Sequence, residues 1–228
     1  MIRKFLKIGL VALMLGAAPA ALSAAPKKSL AIFVVIENGG VVTDRETAKT
    51  SINYLLGELV KLRRRKATKH GLIHIILSAN PTEVTWSGTP QQLFEQGHSI
   101  LELIKFKDTC SDLVLAWDQA DLTKRITMPD EIRLIAIGPM INASFPCDKG
   151  DTTIKLPQPA PQKLKLAKLA ADATQVKLLN VHADQDEVYL TYLQKAGVIT
   201  RAQKGEMDFD LMDAARTRAA NGKILEGR

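Results

Sequence analysis

From Ile32 to Ile36 the chain is apolar without a break, and the run stops at Glu37, Asn38 and two glycines. A continuous run bounded by turn residues predicts a strand buried on both faces, Ser29 to Ile36. After it, Ile52, Leu55, Leu56, Leu59 and Leu62 recur at three- and four-residue steps. That spacing predicts a helix from about Ala48 to Lys66. A second apolar run, Gly71 to Ala79, predicts a strand, and the alternating stretch Thr82 to Trp86 follows it closely. So short a connection predicts an antiparallel hairpin. Pro90 suits the first turn of the next helix, whose stripe is Leu93, Phe94, Gly97, Ile100, Leu101 and Ile104. Asp112 to Trp117 and Glu131 to Gly138 read as two further strands. Lys163 to Ala173 predicts a helix, Val176 to Ala183 a last strand, and Glu187 to Lys195 and Met207 to Ala220 the closing helices.

Strands alternating with helices predict an α/β fold. The central sheet is mostly parallel, with one antiparallel hairpin edge and helices on both faces. The expected organisation is a leader at 1–24, an α/β domain at 25–196 and a helical tail at 197–228. Four prolines between Phe145 and Gln162 make 145–162 an extended loop.

The N-terminus opens with Arg3, Lys4 and Lys7, continues apolar from Ile8 to Leu15, and then turns to small residues. This is the architecture of a cleaved secretory signal peptide, and it places the protein in a periplasm. Residues 1–24 carry three basic and no acidic residues, so their removal lowers the formal charge from +7 to +4. A charge this mild gives no footprint for nucleic acid. In an oxidising compartment the two cysteines, Cys110 and Cys147, are expected to pair.

In a parallel sheet, ligands gather at the carboxyl ends of the strands. The predicted loops there are Glu37 to Gly40, Ser87 to Thr89 and Asp118 to Asp121. Glu37 and Asp118 bring carboxylates, and Ser87 and Thr89 bring hydroxyls. Hard oxygen donors from separate loops suit Mg²⁺. At this level the order of elements resembles a von Willebrand factor type A domain, which is also Rossmann-like, over Ser29 to Met140 and more loosely to His182. "GLIHIILSANPTEVTWSGTPQQL", "DLVLAWDQADL" and "EIRLIAIG" carry the resemblance. It implies a metal-ion-dependent adhesion site for Mg²⁺ or Mn²⁺ at Glu37, Thr89 and Asp118, with Asn38, Ser87 and Asp121 on the partner-binding rim. The family's first motif, Asp-x-Ser-x-Ser, here reads Glu37-Asn38-Gly39-Gly40-Val41. Both hydroxyl ligands are missing and the carboxylate is one methylene longer, which makes the site degenerate.

No Gly-x-Ser-x-Gly, phosphate-binding loop or HExxH is present. His74 alternates within a strand and reads as structural. His182, Asp184 and Asp186 read as a polar loop that caps the next helix. The strongest charge run, Lys61 to His70, includes Arg63, Arg64, Arg65 and Lys66. Its simplest role is to complement a helix C-terminus, and its functional alternative is contact with a membrane surface or an acidic partner. Two readings of function stay open. One is a non-enzymatic module that binds a protein partner in the cell envelope, as in a secretion or conjugative-transfer assembly. The other is a periplasmic hydrolase or ligand-binding protein that uses the carboxylate-lined loops.

Overall fold

A computed structural model describes residues 28–143 and 164–225. The leader, the proline-rich segment and Cys147 lie outside the described residues, and with them the predicted cleavage and disulfide pairing. Six strands form one sheet in the order β3-β2-β1-β4-β5-β6. They are β1 (Leu30–Ile36), β2 (Leu72–Leu77), β3 (Trp86–Gly88), β4 (Glu131–Ile137), β5 (Ala173–Leu179) and β6 (Asp208–Met212). Only β3 runs antiparallel, with Ile73 opposite Gly88 and Ile75 opposite Trp86. The predicted fold class and the antiparallel edge are therefore present, but the hairpin's second strand is Trp86–Gly88, where Thr82 to Trp86 was expected. Among the described residues no helix is long and apolar enough to cross a membrane.

The sheet is covered on both faces because its central strands are apolar on both. From β1, Phe33 and Val35 join Trp117, Leu169 and Tyr189 on one side. Ile32, Val34 and Ile36 join Leu55, Leu59 and Leu93 on the other. The second side is built by α1 (Arg45–Lys61) and α2 (Pro90–Leu103). The first side is built by α3 (Leu113–Thr127), α4 (Leu166–Asp172) and α5 (Ala183–Lys195). Two short helices, α6 (Val198–Gln203) and α7 (Ala214–Ala219), flank β6.

Two further elements differ from the sequence reading in kind. "DLVLAW" is the start of α3 and not a strand. Asp112 caps it by accepting from Leu115 N at 2.9 Å. Leu113, Ala116, Trp117 and Ala120 then fall on one buried helical face. Val114 and the outward-pointing Leu115 fill the gaps in that pattern, so the stretch imitates an unbroken buried strand. The second difference lies beyond residue 197, where a helix was expected from Met207 to Ala220. The alternating Asp208 to Met212 forms β6 instead and pairs with β5. The last described turn is also docked. The buried Glu58 carboxylate of α1 accepts from Gly222, Ile224 and Leu225 N at 2.8, 3.1 and 2.9 Å.

Candidate functional site

The sheet reverses its winding between β1 and β4, since β2 and β3 lie to one side and β5 and β6 to the other. The loops leaving β1 and β4 therefore part at this point and leave a crevice, the usual ligand position in such sheets.

Glu37 leaves β1 here and is 1% exposed. Its Oε1 accepts from Met140 N at 2.5 Å and its Oε2 from Ile141 N at 3.3 Å. Burial pushes its carboxyl up to about 8, and the two backbone N–H groups and the Ser111 hydroxyl pull the other way without prevailing. The carboxylate braces the exit of β4. Gly138 lies so close that a Cβ there would sit 2.4 Å from Glu37 Cβ, at a φ of +147°. Met140 takes a left-handed φ of 59° in the same bend.

Asn38 is fully buried, not on a rim. Its Nδ2 donates to Lys105 O at 2.8 Å and its Oδ1 accepts from Ala79 N at 3.0 Å. Lys107 N donates to its carbonyl at 2.8 Å. Asn38 thus ties the exits of β1 and β2 to the α2–α3 connection. Gly39 is required because a Cβ would approach Cys110 O to 2.6 Å. The Glu-Asn-Gly-Gly stretch is therefore an internal brace.

The three residues matched to a metal site are not brought together. Thr89 follows the antiparallel β3 and so lies at the amino edge of the sheet, about 20 Å from Glu37 across the length of β2. It forms a capping box with Gln92, accepting from Gln92 N at 3.3 Å while Gln92 Oε1 accepts from Thr89 N at 2.8 Å. Asp118 lies on α3, where it lines a shallow surface depression with Thr82, Gln119 and Lys168. Among the described residues no three His, Cys, Asp or Glu side chains are grouped to hold a cation. This donor set does not fit Mg²⁺ or Mn²⁺.

The other expected rim residues are equally dispersed. Asp121 is buried on α3 and pairs with Lys168 at 3.0 Å and with Arg125 at 3.4 Å. Ser87 Oγ lies 2.9 Å from His74 Nδ1 on the β2–β3 ladder. His74 stacks on Phe33, and burial lowers its pKa, so the ring is neutral. Its Nε2 has no hydrogen-bond partner. A nucleophile–base pair would want a carboxylate there, and this one lacks it. The Arg63 guanidinium stacks 3.9 Å over Phe94. Arg64, Arg65 and Lys66 are exposed beyond it, before β2 and so at the amino edge.

What the carboxyl edge does carry is a cleft of about 840 Å³ over the switch point, lined by the loops after β1, β4, β5 and β6. Its apolar floor includes Val41, Val42, Pro139, Ile141 and Val181. Its rim carries Asp44, Asp184 and Asp213 against Arg218 and His182. Asp44, His182 and Asp213 are the N-caps of α1, α5 and α7. Hydrogen bonds from Thr47 hold Asp44 below the usual carboxylate range, and the backbone N–H of Arg216 does the same for Asp213. His182 does cap its helix, accepting from Asp184 N at 3.3 Å. Asp44 and Asp213 were not singled out from sequence. The signal available was an aspartate at the residue directly before a helix, Asp44 before Arg45 and Asp213 before Ala214.

Fold and cleft together define an open α/β domain with a crevice at its topological switch point. No protein-family model and no curated protein sequence matches the chain.

Proposed function

We propose that this protein is a non-enzymatic module of the periplasm that seats a segment of a protein partner in the carboxyl-edge cleft, as part of an envelope assembly. The cleft carries the reading. It has an apolar floor, four loops around it, and a rim with more carboxylates than cations. Such a rim favours a segment that sets Lys or Arg beside apolar residues. Among the described residues, no hydroxyl of the cleft is hydrogen-bonded to His182, so the alternative of a hydrolase finds no nucleophile–base pair there. The von Willebrand A-like reading is supported by the parallel sheet with one antiparallel edge. It does not rest on a metal site.

Site-specific photocrosslinking in intact cells tests the proposal. A photoreactive residue at Val42 or Val181 should capture one defined envelope protein, and the same group at Arg64 should not. Equal capture from all three positions, or none, would remove the cleft as the binding site.

A further inference from the structure

The exposed cations Lys61, Arg64, Arg65, Lys66 and Lys69 crowd together between α1 and β2, at the amino edge of the sheet. Between Thr47 and Thr82 the chain has one acidic residue, Glu58. It is buried, and its carboxylate is taken up by backbone N–H groups of the last described turn. That turn sets Lys223, also exposed, beside the same end of α1. Among the described residues, Lys61, Arg64, Lys66 and Lys69 have no ion-pair partner. Helix α2 begins at this edge and adds the exposed carboxylate of Glu95, which does not offset six cations. Further along the edge, Asp130 and Glu131 have cations of their own in Lys28 and Arg133.

The run exceeds what a helix end requires. The macrodipole acts within the last turn, where Lys61 stands. The Leu62 carbonyl is already met by Arg65 N at 3.1 Å and by Thr68 Oγ1 at 2.9 Å. Lys69 N returns to Arg65 O at 2.9 Å and closes a tight turn that leaves the remaining cations in solvent. Beside them, Arg63 lays its guanidinium over Phe94, which is 53% exposed. We propose that this amino-edge patch docks the protein on an anionic lipid bilayer, with Phe94 at its apolar side. The occupant is a lipid surface because the charge is of one sign and fans around a tight turn. A broad plane of anionic headgroups meets all of these cations at once, whereas a single acidic peptide meets one side of the turn. Setting nucleic acid aside rests on the periplasmic reading. The cleft then faces away from the bilayer, since it opens at the other end of the sheet, about 20 Å off.

Co-sedimentation of the mature protein with lipid vesicles tests it. Vesicles of equal parts phosphatidylglycerol and phosphatidylcholine should bind it, pure phosphatidylcholine should not, and added salt should weaken the binding. Arg64→Gln combined with Lys66→Gln should weaken it by about tenfold or more. Lys49→Gln combined with Lys105→Gln removes the same charge from the carboxyl half of the molecule and should leave binding within about twofold. No binding to the mixed vesicles would overturn the proposal. So would equal binding to neutral vesicles, or equal losses in the two double variants. Tighter binding to polyglutamate than to vesicles at the same salt would assign the patch to an acidic protein and overturn the proposal alone. Tighter binding to duplex DNA would overturn it together with the periplasmic reading.

Discussion

At the exit of β1, the buried Glu37 takes only backbone N–H groups and a hydroxyl. Two strands away, Lys177 of β5 is equally buried, but it sits between the carboxylates of Asp208 and Asp210 on β6, at 2.7 and 2.5 Å. The first site can dispose of its charge by binding a proton, and the second cannot without stranding two carboxylates. The difference shows how position in the sheet sets the chemistry. A central strand is enclosed on both sides, so only dipoles reach Glu37. An edge strand leaves its neighbours partly open, so counter-ions can be supplied by the last strand to join.

Removing Lys177 is the harshest way to break this contrast. Lys177→Met should cost about 3–5 kcal/mol in urea unfolding, because two carboxylates lose their cation near the core. Adding Asp208→Asn and Asp210→Asn should recover most of that loss. If the single variant costs less than 1 kcal/mol, β6 is not held by charge.

Glu37 predicts a pH effect of known sign. Its folded pKa, about 8, lies above the ordinary 4.5. The folded state therefore binds the proton more tightly, and this contribution to stability is complete below about pH 4.5 and lost as pH rises to about 8. The loss is on the order of 5 kcal/mol. Glu37→Gln should flatten the stability profile across that window relative to the unmodified protein. Parallel profiles for the two would mean that Glu37 is ionised when folded.

Gly138→Ala tests the same brace sterically. The new Cβ meets Glu37 in a backbone conformation unsuited to L-residues, and the expected loss is about 2–3 kcal/mol. Combining it with Glu37→Ala should relieve part of the penalty. The smallest effect belongs to the cleft rim, where Asp213→Ala removes the cap of α7 and should cost about 1 kcal/mol. Its depressed pKa gives a slope opposite to that of Glu37, with stability present at neutral pH and lost as acid protonates the carboxylate.

Much of the fold was legible because period and punctuation agree along most of the chain. β1 is a continuous apolar run ending in turn residues, β2 is one but for His74, β4 becomes one after Arg133, and α2 has Pro90 at its head. Reading failed where one pattern imitated another. α3 looked like a strand because its outer face is apolar too, and β6 looked helical because it is short and borders real helices. The candidate site suffered more. Thr89 was assigned to the carboxyl edge along with Glu37, but one antiparallel strand moves it to the opposite end of the sheet.

By itself, the sequence determined the α/β class, the central buried strands and the antiparallel edge. These follow from local periodicity and from the short connection after β2. Only the tertiary structure decided that Glu37 and Asn38 are internal braces, that Asp44 and Asp213 face one cleft, and that Lys177 meets two aspartates. Each of those facts depends on residues far apart in sequence meeting across a sheet, and no local pattern records such a meeting.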